Sequence, residues 1–104
     1  MSVIVTISFP GDPERLEAVA AENEQKLQDI RERAIAAGVI AHRFYGSEGQ
    51  IMVIDEWPDA ESFENFFGGI QDDIAPMMEQ IATAEPVVSV WRKLDSRDEY
   101  GWGA

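Results

Sequence analysis

The sequence contains no cysteine and a single histidine. The first absence excludes disulfides, thiolate metal sites and cysteine nucleophiles, and it fits a cytoplasmic location. The second leaves His42 as the only side chain of the type that ordinarily titrates near neutrality. Basic residues are scarce as well: 8 Lys and Arg stand against 20 Asp and Glu, a formal net charge of −12. A surface of that sign repels nucleic acid and anionic membranes, so neither is expected as a partner, and it keeps the chain dispersed in water. No apolar run approaches the roughly 18 residues that span a bilayer. The apolar start, Met1 to Phe9, lacks a basic leader and a small-residue cleavage site, so it reads as a strand and not as a signal peptide. There is no phosphate loop, EF-hand, Ser-His-Asp motif or zinc-ligand spacing. One histidine among scattered carboxylates makes a weak metal case, and no metal or cofactor is expected.

What remains is a chain of 104 residues, 45% hydrophobic, the size of one modest core that oligomerisation often reinforces. Val3–Phe9 is rich in β-branched residues and reads as a first strand. Pro10-Gly11 ends it. Asp12 is a good N-cap, Pro13 suits the first helical position and Glu14 the helix N-terminus. A single long helix is expected from there to Gly38, with an apolar stripe of Leu16, Val19, Ala20, Leu27, Ile30 and Ala34. Asn23 interrupts that stripe with a polar side chain. Strands follow at 39–45 and 50–57, joined across Gly46-Ser-Glu-Gly49. Pro58 stops the third strand and Asp59 caps a second helical region. Phe63, Phe66, Phe67 and Ile70, then Ile74, Met77, Met78 and Ile81, keep helical spacing, but Gly68-Gly69 and Pro76 predict a break between pieces at about 59–68 and 71–83. Residues 86–94 read as a fourth strand, closing one domain over 1–94. Residues 95–104 read as a mobile tail, although Tyr100 and Trp102 are unusual there and allow docking on a partner subunit.

The order β-α-β-β-α-β is that of a ferredoxin-like α+β fold, a four-stranded antiparallel sheet with its helices on one face. A sheet with one wet face should alternate apolar and polar residues. Ile51, Met52, Val53 and Ile54 are instead four apolar residues in a row, and Val3, Ile4 and Val5 are three. Helices cover only one face, so a second copy of the sheet about a two-fold axis is the expected cover for the other. If Gly46 faces Gly49, His42 faces Val53 and Ile40 faces Asp55. Ile40, His42, Phe44, Ile51, Val53, Asp55 and Trp57 then share one face, assigned to the helix side. Val39, Ala41, Arg43, Tyr45, Met52, Ile54 and Glu56 share the other, assigned to the dimer.

The stretch Ile51-Met-Val-Ile-Asp-Glu-Trp57, followed by Pro58 and a helix carrying Phe63, Phe66 and Phe67, resembles the dimeric α+β barrel superfamily, specifically its antibiotic-biosynthesis-monooxygenase-like small bacterial proteins. The resemblance extends from the first strand through Val90. It implies a homodimer whose two sheets pack as a barrel, with a pocket in each subunit between sheet and helices. The superfamily includes cofactor-free oxygenases, haem-degrading enzymes, isomerases and proteins of no known activity, so it implies architecture more than chemistry. The haem-degrading pattern of Asn, Trp and a helical His is not met, because His42 falls on a strand. The quinone-forming pattern of Asn, Trp and Tyr on the helix after the third strand is not met either: that helix has Asn65 but Phe66 and Phe67, with Trp57 at the strand end.

The residues that can carry chemistry are therefore few. His42 is a candidate general base, and Asp55, on the same face, is a candidate to orient it. Both also have ordinary structural readings, a satisfied histidine and a carboxylate bonded to a backbone amide. Trp57, Phe63, Phe66 and Phe67 form an aromatic group that would wall a flat ligand or simply pack the core. Asn23 would reach the same space or bond locally. Three functions fit: a cofactor-independent oxygenase, isomerase or cyclase acting on a small, partly aromatic molecule; a non-catalytic small-ligand binder; or a structural module that uses its sheet face and tail.

Overall fold

A computed structural model describes residues 1–102; Gly103 and Ala104, the end of the expected tail, lie outside the described residues. The elements run β1 (Val3–Pro10), α1 (Pro13–Glu22), α2 (Glu24–Ala37), β2 (Ala41–Ser47), β3 (Gln50–Trp57), α3 (Ala60–Glu79) and β4 (Val87–Arg92). The strands form one antiparallel sheet in the order β2-β3-β1-β4. This is the ferredoxin-like α+β arrangement expected from the element order.

Alternation along the two central strands sets the core. Val5, Ile7 and Phe9 of β1 and Ile51, Val53 and Trp57 of β3 are buried on one face against Val19, Phe63, Met77 and Ile81. Each such side chain contributes about 1.5–3 kcal/mol by leaving water. The helical layer covers β1 and β3 but stops short of the edges. On this same face Phe44 of β2 and Val90 of β4 are each 44% exposed.

The register differs from the sequence expectation by two residues. The connection is two residues long, Glu48-Gly49, with Gly49 at φ 72° and Ser47 paired to Gln50. His42 therefore faces Asp55, and Phe44 faces Val53. Because side chains alternate with a period of two, a slip of two leaves every residue on its assigned face. The strand β2 also lies two residues later than expected, at 41–47.

Both helical expectations are corrected. The first helix is two, divided at Asn23, which is the C-cap of α1 and the N-cap of α2. Its amide nitrogen donates to the Val19 carbonyl at 2.7 Å, a side-chain bond that competes with the helical ladder. The second helical region is one helix, not two. Phe63, Phe67, Ile70, Ile74, Met77 and Ile81 follow a continuous three-four spacing, and burying that stripe outweighs the local preferences of Gly68, Gly69 and Pro76. The caps agree with the sequence reading. Asp12 accepts from the Glu14 amide at 3.0 Å, Asp59 from the Ser62 amide at 2.7 Å, and Gly38 ends α2 at φ 108°. Arg33 of α2 clamps α3 through Asp73 at 2.7 Å and the Gly69 carbonyl at 2.9 Å.

Candidate functional site

Asp55 occupies the third inward position of β3, directly between Val5 of β1 and His42 of β2. It is buried, at 6% exposure, among apolar neighbours. A carboxylate in such a place requires hydrogen-bond donors. Asp55 has two. His42 Nδ1 lies 2.6 Å from Oδ1, and Trp57 Nε1, two residues along the same strand, donates to Oδ2 at 3.1 Å. The first contact is a direct cross-strand pair, the second a same-face neighbour, so the sheet itself builds the cluster.

The arrangement assigns roles to the imidazole nitrogens. With Nδ1–H donated to the carboxylate, Nε2 is the nitrogen that can accept a proton or a hydrogen bond. The imidazole is half exposed, its side chain retaining 51% of its accessible surface. Phe44, two residues on and on the same face, meets it edge-on at 5.2 Å between ring centroids, with the rings at 86°. An oriented, solvent-reachable nitrogen beside an aromatic ring is suited to acid–base work or to holding a ligand hydroxyl.

The aromatic residues divide between this cluster and the core. Trp57 is fully buried and meets Phe66 at 5.3 Å and Phe63 at 6.0 Å; Phe63 in turn stacks on Phe67 at 5.2 Å. These rings fasten α3 to β3 and hold the Trp57 indole in place. Asn23 is not brought to His42, since its amide is engaged at the α1–α2 junction.

A groove of about 460 Å³ opens between α1 and β2, lined by Pro13, Leu16, Glu17, Phe44, Tyr45, Gly46, Ser47 and Ile51. None of these residues was among the site candidates read from the sequence. Phe44 was legible in principle, because it shares a strand face with His42 at a spacing of two. Leu16 and Glu17 were not, because their approach to β2 depends on how α1 crosses the sheet.

Comparison with solved structures finds the same fold in other proteins, among them ones described as dimeric ferredoxin-like and as antibiotic biosynthesis monooxygenase. A dimeric ferredoxin-like protein from an uncultured marine organism matches with a TM-score of 0.69 at 14% identity, over 90% of this chain and 89% of its own. A monooxygenase from the gene ActVA-Orf6 of Streptomyces coelicolor, solved in complex with the ligand nanaomycin D, matches with a TM-score of 0.64 at 15% identity, over 91% and 89%. An antibiotic biosynthesis monooxygenase matches with a TM-score of 0.62 at 15% identity, over 90% and 99%. At such identities the likeness is one of fold. No protein-family model and no curated protein matches the sequence. No helix among the described residues is long and apolar enough to cross a membrane.

Proposed function

We propose that the chain is a homodimeric small-molecule protein in which His42, oriented by Asp55, acts as an acid–base group on a partly aromatic substrate without a bound cofactor. The observation that carries this reading is the 2.6 Å contact between His42 Nδ1 and Asp55 Oδ1, which leaves Nε2 as the reactive nitrogen. The monooxygenases of the same fold support the substrate class, in particular the one that binds nanaomycin D. In this reading Asp55 and Trp57 position the imidazole, and the substrate's acidic C–H or O–H meets Nε2. Phe63, Phe66 and Phe67 act through Trp57 and do not touch the ligand.

The dimer is proposed through the open face of the sheet, where Ile4, Tyr45, Met52, Ile54 and Trp91 lie together by register. The domain is proposed to end at residue 94, with 95–104 dispensable for folding. Tyr100 and Trp102 are 85% and 86% exposed in the single chain, which suits a free tail.

Anthrone tests the chemistry, because it is a flat aromatic molecule whose methylene carbon is acidic. In deuterated buffer without oxygen, the protein should speed deuterium entry at that carbon. His42→Ala should abolish the effect while circular dichroism stays unchanged. Equal rates for parent and variant would remove His42 from the reaction. A second reading, binding without turnover, is favoured by one observation: the groove is lined by Phe44 but not by His42 itself. Saturable binding of nanaomycin D that His42→Ala leaves intact, together with no anthrone exchange, is its signature.

A further inference from the structure

We infer that the α1–β2 groove is the ligand site and that it selects uncharged or cationic aromatic molecules over anionic ones, with Glu17 as the specificity-determining residue. The inference rests on the small-molecule reading above and adds the place and the charge class of the ligand. Three observations carry it. The groove's volume, about 460 Å³, is that of a site for a molecule of two or three fused rings. Its walls are apolar where Leu16 of α1 faces Ile51 and Phe44 of the sheet, and Phe44 is the ring that touches His42. A ligand lying there packs against that ring, while His42 itself stands outside the lining.

The third observation is electrostatic. Glu17 is the only carboxylate in the lining, and no lining residue is basic. An anionic ligand would meet an uncompensated carboxylate on a chain of net charge −12. Glu17 is exposed, so at a near-aqueous dielectric and a separation of about 4 Å one such charge changes affinity by about five-fold at low salt. Gly46 closes the end of the groove: a Cβ there would come within 2.8 Å of the Pro13 ring, so the first turn of α1 rests directly on β2. The groove therefore lies along a direct contact between the two elements.

Three molecules of one shape separate charge from fit: 2-naphthylmethylamine, 2-naphthalenemethanol and 2-naphthoate, which are cationic, neutral and anionic at neutral pH. Each is titrated into the isotopically labelled protein while the backbone amides of Leu16, Phe44 and Gly46 are followed by NMR. The alcohol and the amine should shift these amides, with the naphthoate at least about ten-fold weaker than the amine at low salt. Glu17→Gln, an exposed change, should narrow that gap to within a few-fold. Raising the ionic strength to about 1 M should narrow it in the parent too, because the screening length falls to about 3 Å. Phe44→Ala should weaken all three. Naphthoate binding as tight as the amine at low salt overturns the charge selection, and shifts confined to the open sheet face, or no binding by any probe, overturn the site. The anthrone exchange of the parent and of His42→Ala is independent of these outcomes and judges the acid–base reading separately.

Discussion

A carboxylate on the buried face of a sheet is costly unless its oxygens are hydrogen-bonded, and the two donors of Asp55 differ in what could replace them. The Trp57 indole is buried, so no water takes its place when it is removed. The His42 imidazole is half exposed, so water can. Trp57→Phe keeps most of the ring but deprives Oδ2 of its donor, and it should destabilise the protein by about 1–3 kcal/mol. His42→Ala should cost less, about 1 kcal/mol or below, and urea unfolding of the two variants orders them. A larger loss from the histidine change would contradict this account of the cluster. Because the chain has one histidine, long-range nitrogen NMR reports its tautomer without ambiguity. The parent should show the proton on Nδ1, and Trp57→Phe should alter that signature by loosening the carboxylate. The shared face of His42 and Asp55 was readable from strand periodicity, whereas the indole's bond to Asp55 depended on a rotamer that only packing against Phe63 and Phe66 selects.

The continuity of α3 makes a prediction that its sequence opposes. Gly68 is exposed, and a Cβ there would meet nothing within 4 Å. Gly68→Ala should therefore stabilise the helix by roughly 0.5–1 kcal/mol, seen as a higher melting temperature. In a helix broken at this point the same change would give no gain. The start of α3 is sensitive to acid. The amide and hydroxyl of Ser62 bond to Asp59 and hold its carboxyl below the ordinary value of 3.8. Asp73 is lowered as well, chiefly by its hydrogen bond to Arg33. A lowered folded-state value means that the stabilisation is complete above the ordinary value and is lost as pH falls through the folded one. Asp59→Ala should thus lower the melting temperature at pH 7, and the gap to the parent should shrink as pH falls below about 4. A gap that stays constant down to pH 2 would show that the cap's charge contributes nothing. The helix ends at Asp12, Gly38 and Asp59 were legible because each depends on a few consecutive residues. The division at Asn23 was visible only as a polar intrusion on an apolar stripe.

At the scale of the molecule, the open face of the sheet, through which the dimer is proposed, exposes Ile4, Tyr45 and Trp91. Ile54 is flanked there by Thr6 on one side and Arg43 on the other, with Met52 and Ile4 on neighbouring inter-strand pairs. Ile54→Lys should shift the protein from dimer to monomer in sedimentation equilibrium while its secondary structure persists, since a lysine there would have to be desolvated at the proposed interface. A parent chain that is monomeric at micromolar concentration would remove the dimer. Deleting residues 96–104 should leave the melting temperature within a degree or two of the parent. A clear drop would mean that Tyr100 or Trp102 docks on the partner, and would favour the reading of this chain as an assembly module.

The strands, their order, the caps and the partition of residues between the two sheet faces were determined by local chemistry: β-branched content, alternation, and the Asp, Pro and Gly residues at element ends. A two-residue error in the hairpin left that partition intact, since a face depends only on whether a position is odd or even. Tertiary structure alone decided three things. It kept α3 whole, because the buried Phe and Ile stripe outweighs two glycines and a proline. It set His42 opposite Asp55, because the tight Glu48-Gly49 turn determines the pairing. It opened the groove beside Phe44, because the seat of α1 on β2 depends on the contact of Pro13 with Gly46, residues 33 positions apart whose meeting no local pattern encodes.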